Sequence, residues 1–291
     1  MGGLLGLVAV LIVLSRSLLF GHPEEPLAAM LALVAAVLAY QGRVIAAGVL
    51  LGLAIATKEW ALLAAPAVVL SGAADTWIRP AIAGIAVAAA LTGVMAAASA
   101  GSFRAAHSAQ SHAETRTVTP ASAWFRLGHR KVVAVTRTAY AYVVYPPKEI
   151  GRWCRELIVL LAVLTAPLFL RRRGFACLDA LALIALLFVA RSVLDTQVFS
   201  YHVEPTLLAV AAWEVYARRR VPIVAAAAIA AFELTVRVVA PDLSANAFNA
   251  IYLGWTLPLA AYLAAVSFGP GEGVAAGAPT RSQTLFSSLC Q

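Results

Sequence analysis

One short stretch of this chain, RSVLDTQVFSYHVEP at 191–205, sets ionisable groups between two apolar runs. It holds Arg191, Asp195, Gln197, His202 and Glu204, flanked by Phe199 and Tyr201. Charged side chains at membrane depth are costly to desolvate, so they persist where they face a water-filled cavity, a partner or a substrate. A carboxylate beside an imidazole can move protons, and a guanidinium can hold an anion. On a continuous helix Asp195 and His202 would share a face roughly 10 Å apart along the axis, and a broken helix would bring them closer. A structural polar network between helices is the competing reading. No Ser-His-Asp order, HExxH helix or glycine-rich phosphate loop occurs here.

Two other places carry similar groups. GHPEE, at 21–25, precedes an apolar run, and Pro23, Glu24 and Glu25 suit a helix start, where the dipole favours acids. Capping alone explains the two acids; alternatively His22 and one glutamate line a cavity, where a carboxylate can act as a base or bind a metal. Lys58 and Glu59 interrupt GLAIATKEWALLAAP. As neighbours they cannot share a helix face. Either both snorkel to an interface, or Lys58 meets a phosphate as a point charge while Glu59 turns elsewhere, with Thr57 and Trp60 nearby.

These groups must be positioned by the elements around them. The chain has 291 residues, 62% hydrophobic and 12% charged, with a mean hydropathy of +0.85. No soluble domain needs so much apolar residue, and long Ala- and Leu-rich runs exclude a β-barrel pattern. The expected fold is all-α, a polytopic transmembrane helical bundle of about 10 segments, over 1–268, with a disordered cytoplasmic tail at 269–291. The apolar runs cover 3–20, 24–40, 44–57, 60–71, 80–98, 156–170, 175–190, 203–217, 221–239 and 248–266. The short pair 44–57 and 60–71 reads as two crossings or as one re-entrant hairpin. The first run lacks a basic leader and a cleavage site, so it reads as a span rather than a signal peptide. Cys154, Cys177 and Cys290 do not form a disulfide framework.

If each run crosses once, Arg43, Arg79, Arg171, Arg172, Arg173, Arg218, Arg219 and Arg220 fall on one side. The positive-inside rule makes that side cytoplasmic and both termini cytoplasmic, in a multi-pass plasma-membrane protein. GHPEE, Lys58, Glu59, the stretch 99–152, 191–205 and 241–248 then share the outer face. From 100 to 152 the chain carries eight Lys or Arg against two carboxylates, a net +6. That loop either contacts phosphate or anionic headgroups or is simply solvated. Trp124, Phe125, Tyr140, Tyr142 and Tyr145 read as interfacial anchors. Nucleic acid is not an expected partner; membrane lipids are.

Taken in order, GHPEE, AGVLLGLAIATKEWALLAAP at 47–66, PASAWFRLG at 120–128 and RSVLDTQVFSYHVEPTLLAVAAWE at 191–214 resemble one family. It is the polyprenol-phosphate-mannose-dependent glycosyltransferases of the GT-C superfamily, glycosyltransferase family 87. The resemblance covers about 18–214 and is most specific in its last motif, close to the family's LLD…YYHxP…WE pattern. It implies an inverting transfer on the outer membrane face, with a polyprenyl-phosphate sugar as donor and a lipid or glycan hydroxyl as acceptor. The resemblance carries the positions of Lys58, Asp195, Tyr201 and His202. Asp195 or Glu25 is then the expected base, His202 orients or moves a proton, and Lys58 and Arg191 face the leaving phosphate. Trp60 and Tyr201 stack on a sugar, and His22, Glu24, Glu59 and Gln197 complete the substrate-binding set. No cofactor is implied, although a divalent cation on Glu25 or Asp195 is compatible with the residue types.

One departure matters. Family members place a catalytic acid in their first external loop, whereas GHPEE matches a later loop, so the chain reads as truncated at its N-terminus. Two readings from other classes stand beside the transferase: a transporter, whose route the polar residues would line, and a non-catalytic fragment of such a transferase.

Overall fold

The computed structural model describes residues 17–102, 104, 105, 108, 117–134, 140–239 and 243–269. Most of the first apolar run, Glu114, Arg116, Arg137, the start of 241–248, the tail from 270 with Cys290, and the side chains of Tyr140 and Tyr142 lie outside the described residues.

The described chain is mostly helical. After a left-handed Gly21 (φ 73°), helix α1 (Glu24–Tyr40) starts with Pro23 at its N-cap and Glu24 and Glu25 in its first turn. Its buried stripe is almost all alanine: Ala28, Ala29, Ala32, Ala35, Ala36 and Ala39. Small residues on one face let helix backbones approach closely, which serves where lipid removes the hydrophobic drive for helices to associate. Helix α2 (Val44–Thr57) follows and stops at Lys58, whose backbone is extended. The chain then resumes as a tight 3-10 stretch (Glu59–Ala64) running into α3 (Ala65–Ser71). Position 72 returns to Ala39 at the far end of α1, where a Cβ on Gly72 would lie 3.9 Å from the Ala39 Cβ. The 44–57 and 59–71 pair therefore runs the height of the bundle and back.

Helix α4 (Ile78–Ala98) buries only Pro80 and Gly84. It docks on α2 through glycines: a Cβ on Gly48 would sit 2.5 Å from the Ala83 Cβ, and one on Gly52 would sit 2.6 Å from the Gly84 carbonyl. Helix α5 (Lys148–Arg173) follows, then α6 (Ala180–Leu194), α7 (Glu204–Ala212), α8 (Ile223–Glu233) and α9 (Ala245–Phe268). A 3-10 turn (Ser200–Val203) joins α6 to α7, and π-helical turns extend α7 to Ala217 and α8 to Val239. Helix α6 is the centre of the bundle, buried from Ala180 to Phe188 except for the half-buried Leu186, as an all-round apolar helix must be. Among the described residues three helices, α4, α5 and α9, are long and apolar enough to cross a membrane; 44–57, 59–71 and α6 are apolar but shorter.

Helix boundaries shift from the hydropathy reading where charged first or last turns extend an apolar run. Pro147 and Glu149 start α5 early, so Lys148 and Arg152 belong to a helix rather than to the loop. Arg191 sits in the last turn of α6 rather than in the connector. The basic stretch between α4 and α5 is not wholly irregular. Strands β1 (His129–Ala134) and β2 (Tyr140–Tyr145) pair antiparallel, with Arg130 opposite Val144, in a segment rich in β-branched and aromatic residues. Phe125 corrects an expectation: it is only 5% exposed, packed with Val118 and Val144, and is not an interfacial anchor.

Candidate functional site

The two ends of the bundle differ in chemistry. At one end Asp179, at the start of α6, gathers Arg173 (3.4 Å), Arg218 (3.6 Å) and the Trp213 indole N–H (3.2 Å). Buried Glu214 accepts the Ala225 N–H at 2.8 Å and pairs with Arg220 at 3.1 Å. These contacts fasten α5, α6, α7 and α8. The other end of α6 faces the starts of α1 and α7 and the break at Lys58, and there a cavity opens.

Glu25 is the centre of that end. Its side chain is 1% exposed, with Lys58 Nζ at 3.3 Å from Oε1 and Arg191 Nη1 at 3.4 Å from Oε2. Arg191 is itself buried and lies over the Trp60 ring at 4.7 Å. Lys58 also reaches Glu24 at 3.1 Å, and Glu24 accepts from His22 Nδ1 at 2.9 Å. The His22 ring stacks on Tyr201 at 4.1 Å, and Tyr201 meets Phe199 and His202 at 5.5 and 4.7 Å. The extended backbone of Lys58 aims its side chain back across the start of α1, so the residue neither snorkels outward nor stands alone as a point charge.

His202 is neutral here. Burial, then the cations Arg191 and Lys58, push its pKa down from 6.5 to about 2. Its Nδ1 accepts the Phe199 N–H at 3.4 Å, which leaves the ring proton on Nε2, 4.0 Å from Glu25 Oε1. That contact is polar rather than an ion pair, because burial and the cations Arg191 and Lys58 outweigh the hydrogen bond to the Gln197 backbone that favours the charged ring. Burial likewise raises the Tyr201 phenol above its ordinary value, with the Glu25 charge adding to the effect.

The cavity has a volume of about 390 Å³ and is lined by nine of the eleven residues singled out above: Glu25, Lys58, Glu59, Trp60, Arg191, Asp195, Gln197, Tyr201 and His202. The other two, His22 and Glu24, sit behind its wall. Asp195 caps the end of α6, half-buried, and accepts the Gln197 N–H at 3.3 Å. No continuous helix links Asp195 to His202; the chain breaks at Asp195 and both line the same space. The connector is braced from behind by 117–124. Thr119 Oγ1 donates to the Val198 carbonyl and accepts its N–H, at 3.0 and 2.9 Å. Gln197 Nε2 donates to Thr117 at 2.7 Å, and the Trp124 indole donates to the Leu194 carbonyl at 2.5 Å. Arg126 and Arg130 of the basic stretch bind Asn249 and Asn246 of α9, at 3.1 and 2.9 Å, and do not line the cavity.

The cavity opens onto a second space. Leu62, Leu63 and Val159 line both it and a crevice of about 540 Å³ between the 59–71 segment and α5. The crevice walls are wholly apolar and include Pro66, Val69, Trp77, Val163, Pro167 and Leu170. Composition alone does not pick out this crevice, because its residues look like any lipid-facing helix. Arg155, which lines the polar cavity and meets Glu59 at 3.8 Å, was also missed; it lay among the charges at the head of a span. The i, i+4 step from Arg155 to Val159 was the available signal.

A divalent cation does not fit Glu25. Both its oxygens already face cations of the protein, and no three His, Cys, Asp or Glu side chains are placed to hold a metal ion among the described residues. The residue types present suit an anion-bearing, partly apolar ligand with a proton acceptor beside it.

No model of a known protein family matches the chain, and no curated protein or solved structure matches it either.

Proposed function

We propose that this protein is a membrane glycosyltransferase that moves a sugar, mannose in the family it resembles, from a polyprenyl-phosphate donor to an acceptor hydroxyl. In this reading it is a multi-pass GT-C-like protein of the plasma membrane. Its Asp179 end and both termini face the cytoplasm, and its cavity faces outward. One observation carries the proposal: a polar cavity holding buried Glu25 between Lys58 and Arg191 opens directly onto an apolar crevice. Head and tail chemistry lie side by side, as a lipid phosphate requires.

Glu25 is the counter-ion that holds Lys58 and Arg191 in place. Asp195 is then the base. Its carboxylate takes the proton of the acceptor hydroxyl, whose oxygen attacks the anomeric carbon. The bond from that carbon to the phosphate oxygen breaks, its electron pair stays on oxygen, and polyprenyl phosphate leaves with anomeric inversion. Lys58 and Arg191 set a positive field over the charge that develops on the leaving oxygen. Neutral His202 offers its Nε2 proton as a hydrogen-bond donor, and Tyr201 and Trp60 present ring faces to a sugar.

Membranes containing the chain are incubated with radiolabelled polyprenyl-phosphate mannose, and label is followed into lipid and glycan. Transfer that Asp195→Asn and His202→Ala each cut at least tenfold, in protein that remains folded, supports the proposal. Absence of transfer overturns it, and transfer unchanged in both variants removes those residues from the chemistry. Uptake of a solute by proteoliposomes, without transfer, would favour a transporter instead.

A further inference from the structure

Three cations line the cavity, and the carboxylates paired with them differ in burial. Arg191 and Lys58 are both held by Glu25, whose side chain is 1% exposed. Drawing either away would leave a buried carboxylate less compensated, and an uncompensated buried charge is heavily penalised. Arg155 pairs at 3.8 Å with Glu59, a carboxylate 63% exposed. Solvent-exposed pairs of this kind are held weakly, and releasing Glu59 leaves it in water. Exchanging Glu59 for a ligand anion therefore strands no carboxylate in a buried site.

Position reinforces the electrostatics. Arg155 heads the face of α5 that continues through Val159, Ala162, Val163, Ala166 and Leu170, and the last five line the apolar crevice. The facing wall repeats the order, with Glu59 at the mouth, Leu62 and Leu63 next, and Pro66 and Val69 deeper. An anionic group on Arg155 thus places an attached hydrocarbon chain in the crevice. Arg–phosphate contacts are charge-assisted and directional, which favours this seat over a diffuse basic surface.

We infer that Arg155 is the phosphate anchor of an amphiphile whose tail lies between α5 and the 59–71 segment, and that Glu59 is its built-in competitor. The inference rests on the donor class proposed above and goes further. It assigns the headgroup contact to a residue absent from the motifs that suggested that class, and it gives Glu59 an opposing role. Lys58 and Arg191 then act as a fixed field beside the phosphate, while Arg155 exchanges one anion for another. Removing Glu59 should tighten binding, which a wall residue or a substrate ligand would not do.

The test is equilibrium binding of geranylgeranyl phosphate, geranylgeraniol and inorganic phosphate to the detergent-solubilised full chain. Wild type should bind the lipid phosphate more tightly than the alcohol, and inorganic phosphate least of all. Arg155→Ala should weaken the lipid phosphate about tenfold and leave the alcohol unchanged, with Arg155→Lys in between. Glu59→Gln should tighten the lipid phosphate about threefold, again sparing the alcohol. Thermal melting of each variant identifies any loss of fold, and the ratio of phosphate to alcohol affinity is insensitive to a general loosening. Lipid phosphate binding unaffected by Arg155→Ala, or weakened by Glu59→Gln, overturns the inference while leaving the transferase reading to the transfer assay. No binding of geranylgeranyl phosphate by wild type overturns both. Equal loss of phosphate and alcohol in Arg155→Ala makes the residue structural.

Discussion

Replacing Glu25 with alanine should cost about 3–5 kcal/mol of stability, the range for breaking a buried ion pair by deleting one partner. The distribution of contacts says where the cost arises. Arg191 is 8% exposed and, among the described residues, would keep the face of Trp60, at 4.7 Å, in place of its carboxylate. Stacking on an indole returns about 1–2 kcal/mol, too little to replace an ion pair. Lys58 is 27% exposed and keeps Glu24 at 3.1 Å, so its share is under about 1 kcal/mol. The loss is therefore chiefly that of a stranded guanidinium. It follows that Arg191→Met should rescue part of the Glu25→Ala defect: the coupling energy between the two positions should be at least about 2 kcal/mol. Thermal melting in dodecyl maltoside micelles should show Glu25→Ala lower by about 6–20 °C, with the double variant above the sum of the singles. A Glu25→Ala loss below about 1 kcal/mol, or additivity within about 0.5 kcal/mol, would refute the account of Glu25 as the counter-ion of this end.

Other perturbations probe separate links. His202 has its pKa lowered to about 2 from 6.5, so between those values the unfolded chain binds the extra proton and stability is lost as pH falls. From pH 7 to pH 5 the loss should be about 2 kcal/mol, and His202→Asn should flatten that part of the melting profile; an unchanged slope would mean the imidazole is solvated. At Gly52 an added Cβ meets the Gly84 carbonyl at 2.6 Å and the Val87 Cβ at 2.7 Å. Gly52→Ala should therefore push α4 off α2 and cost about 1–3 kcal/mol, whereas Gly93→Ala, with nothing within 4 Å, should be tolerated in the same melting assay. Asp179→Asn keeps an acceptor for the Trp213 N–H but loses the charge facing Arg173 and Arg218. It should lower the melting temperature by the equivalent of about 1–3 kcal/mol while leaving lipid-phosphate binding at the opposite end unchanged.

Much of the frame was legible because its cause is local. The limits of α1 and α2 follow from where the apolar runs meet GHPEE, Arg43 and Lys58. The alternation of basic and acidic connectors already grouped Arg173 and Arg218 apart from Glu25, Lys58 and His202. Boundaries failed at Lys148 and Arg191, since hydropathy ends at a charge while a helix continues until its backbone donors and acceptors are met otherwise. The strand pair 129–134 and 140–145 was hidden by the basic charge of its stretch, which masked its valines and tyrosines. Phe125 was misread because an aromatic residue in a loop next to a span looks the same whether it faces lipid or a small core.

The sequence by itself determined that this is an apolar helical protein carrying a few ionisable residues it could not shed cheaply. It also determined that those residues fall in three connectors able to meet. Their types fix an energetic cost regardless of fold, and hydropathy is a property of consecutive residues. Only the tertiary structure decided the pairings: Glu25 between Lys58 and Arg191, Arg191 on Trp60, Asp195 and His202 across one cavity, and Arg155 at the mouth of an apolar crevice. Those contacts join helices far apart in the chain, and which ion meets which is set by inter-helix packing and burial. No periodicity within a single helix encodes either.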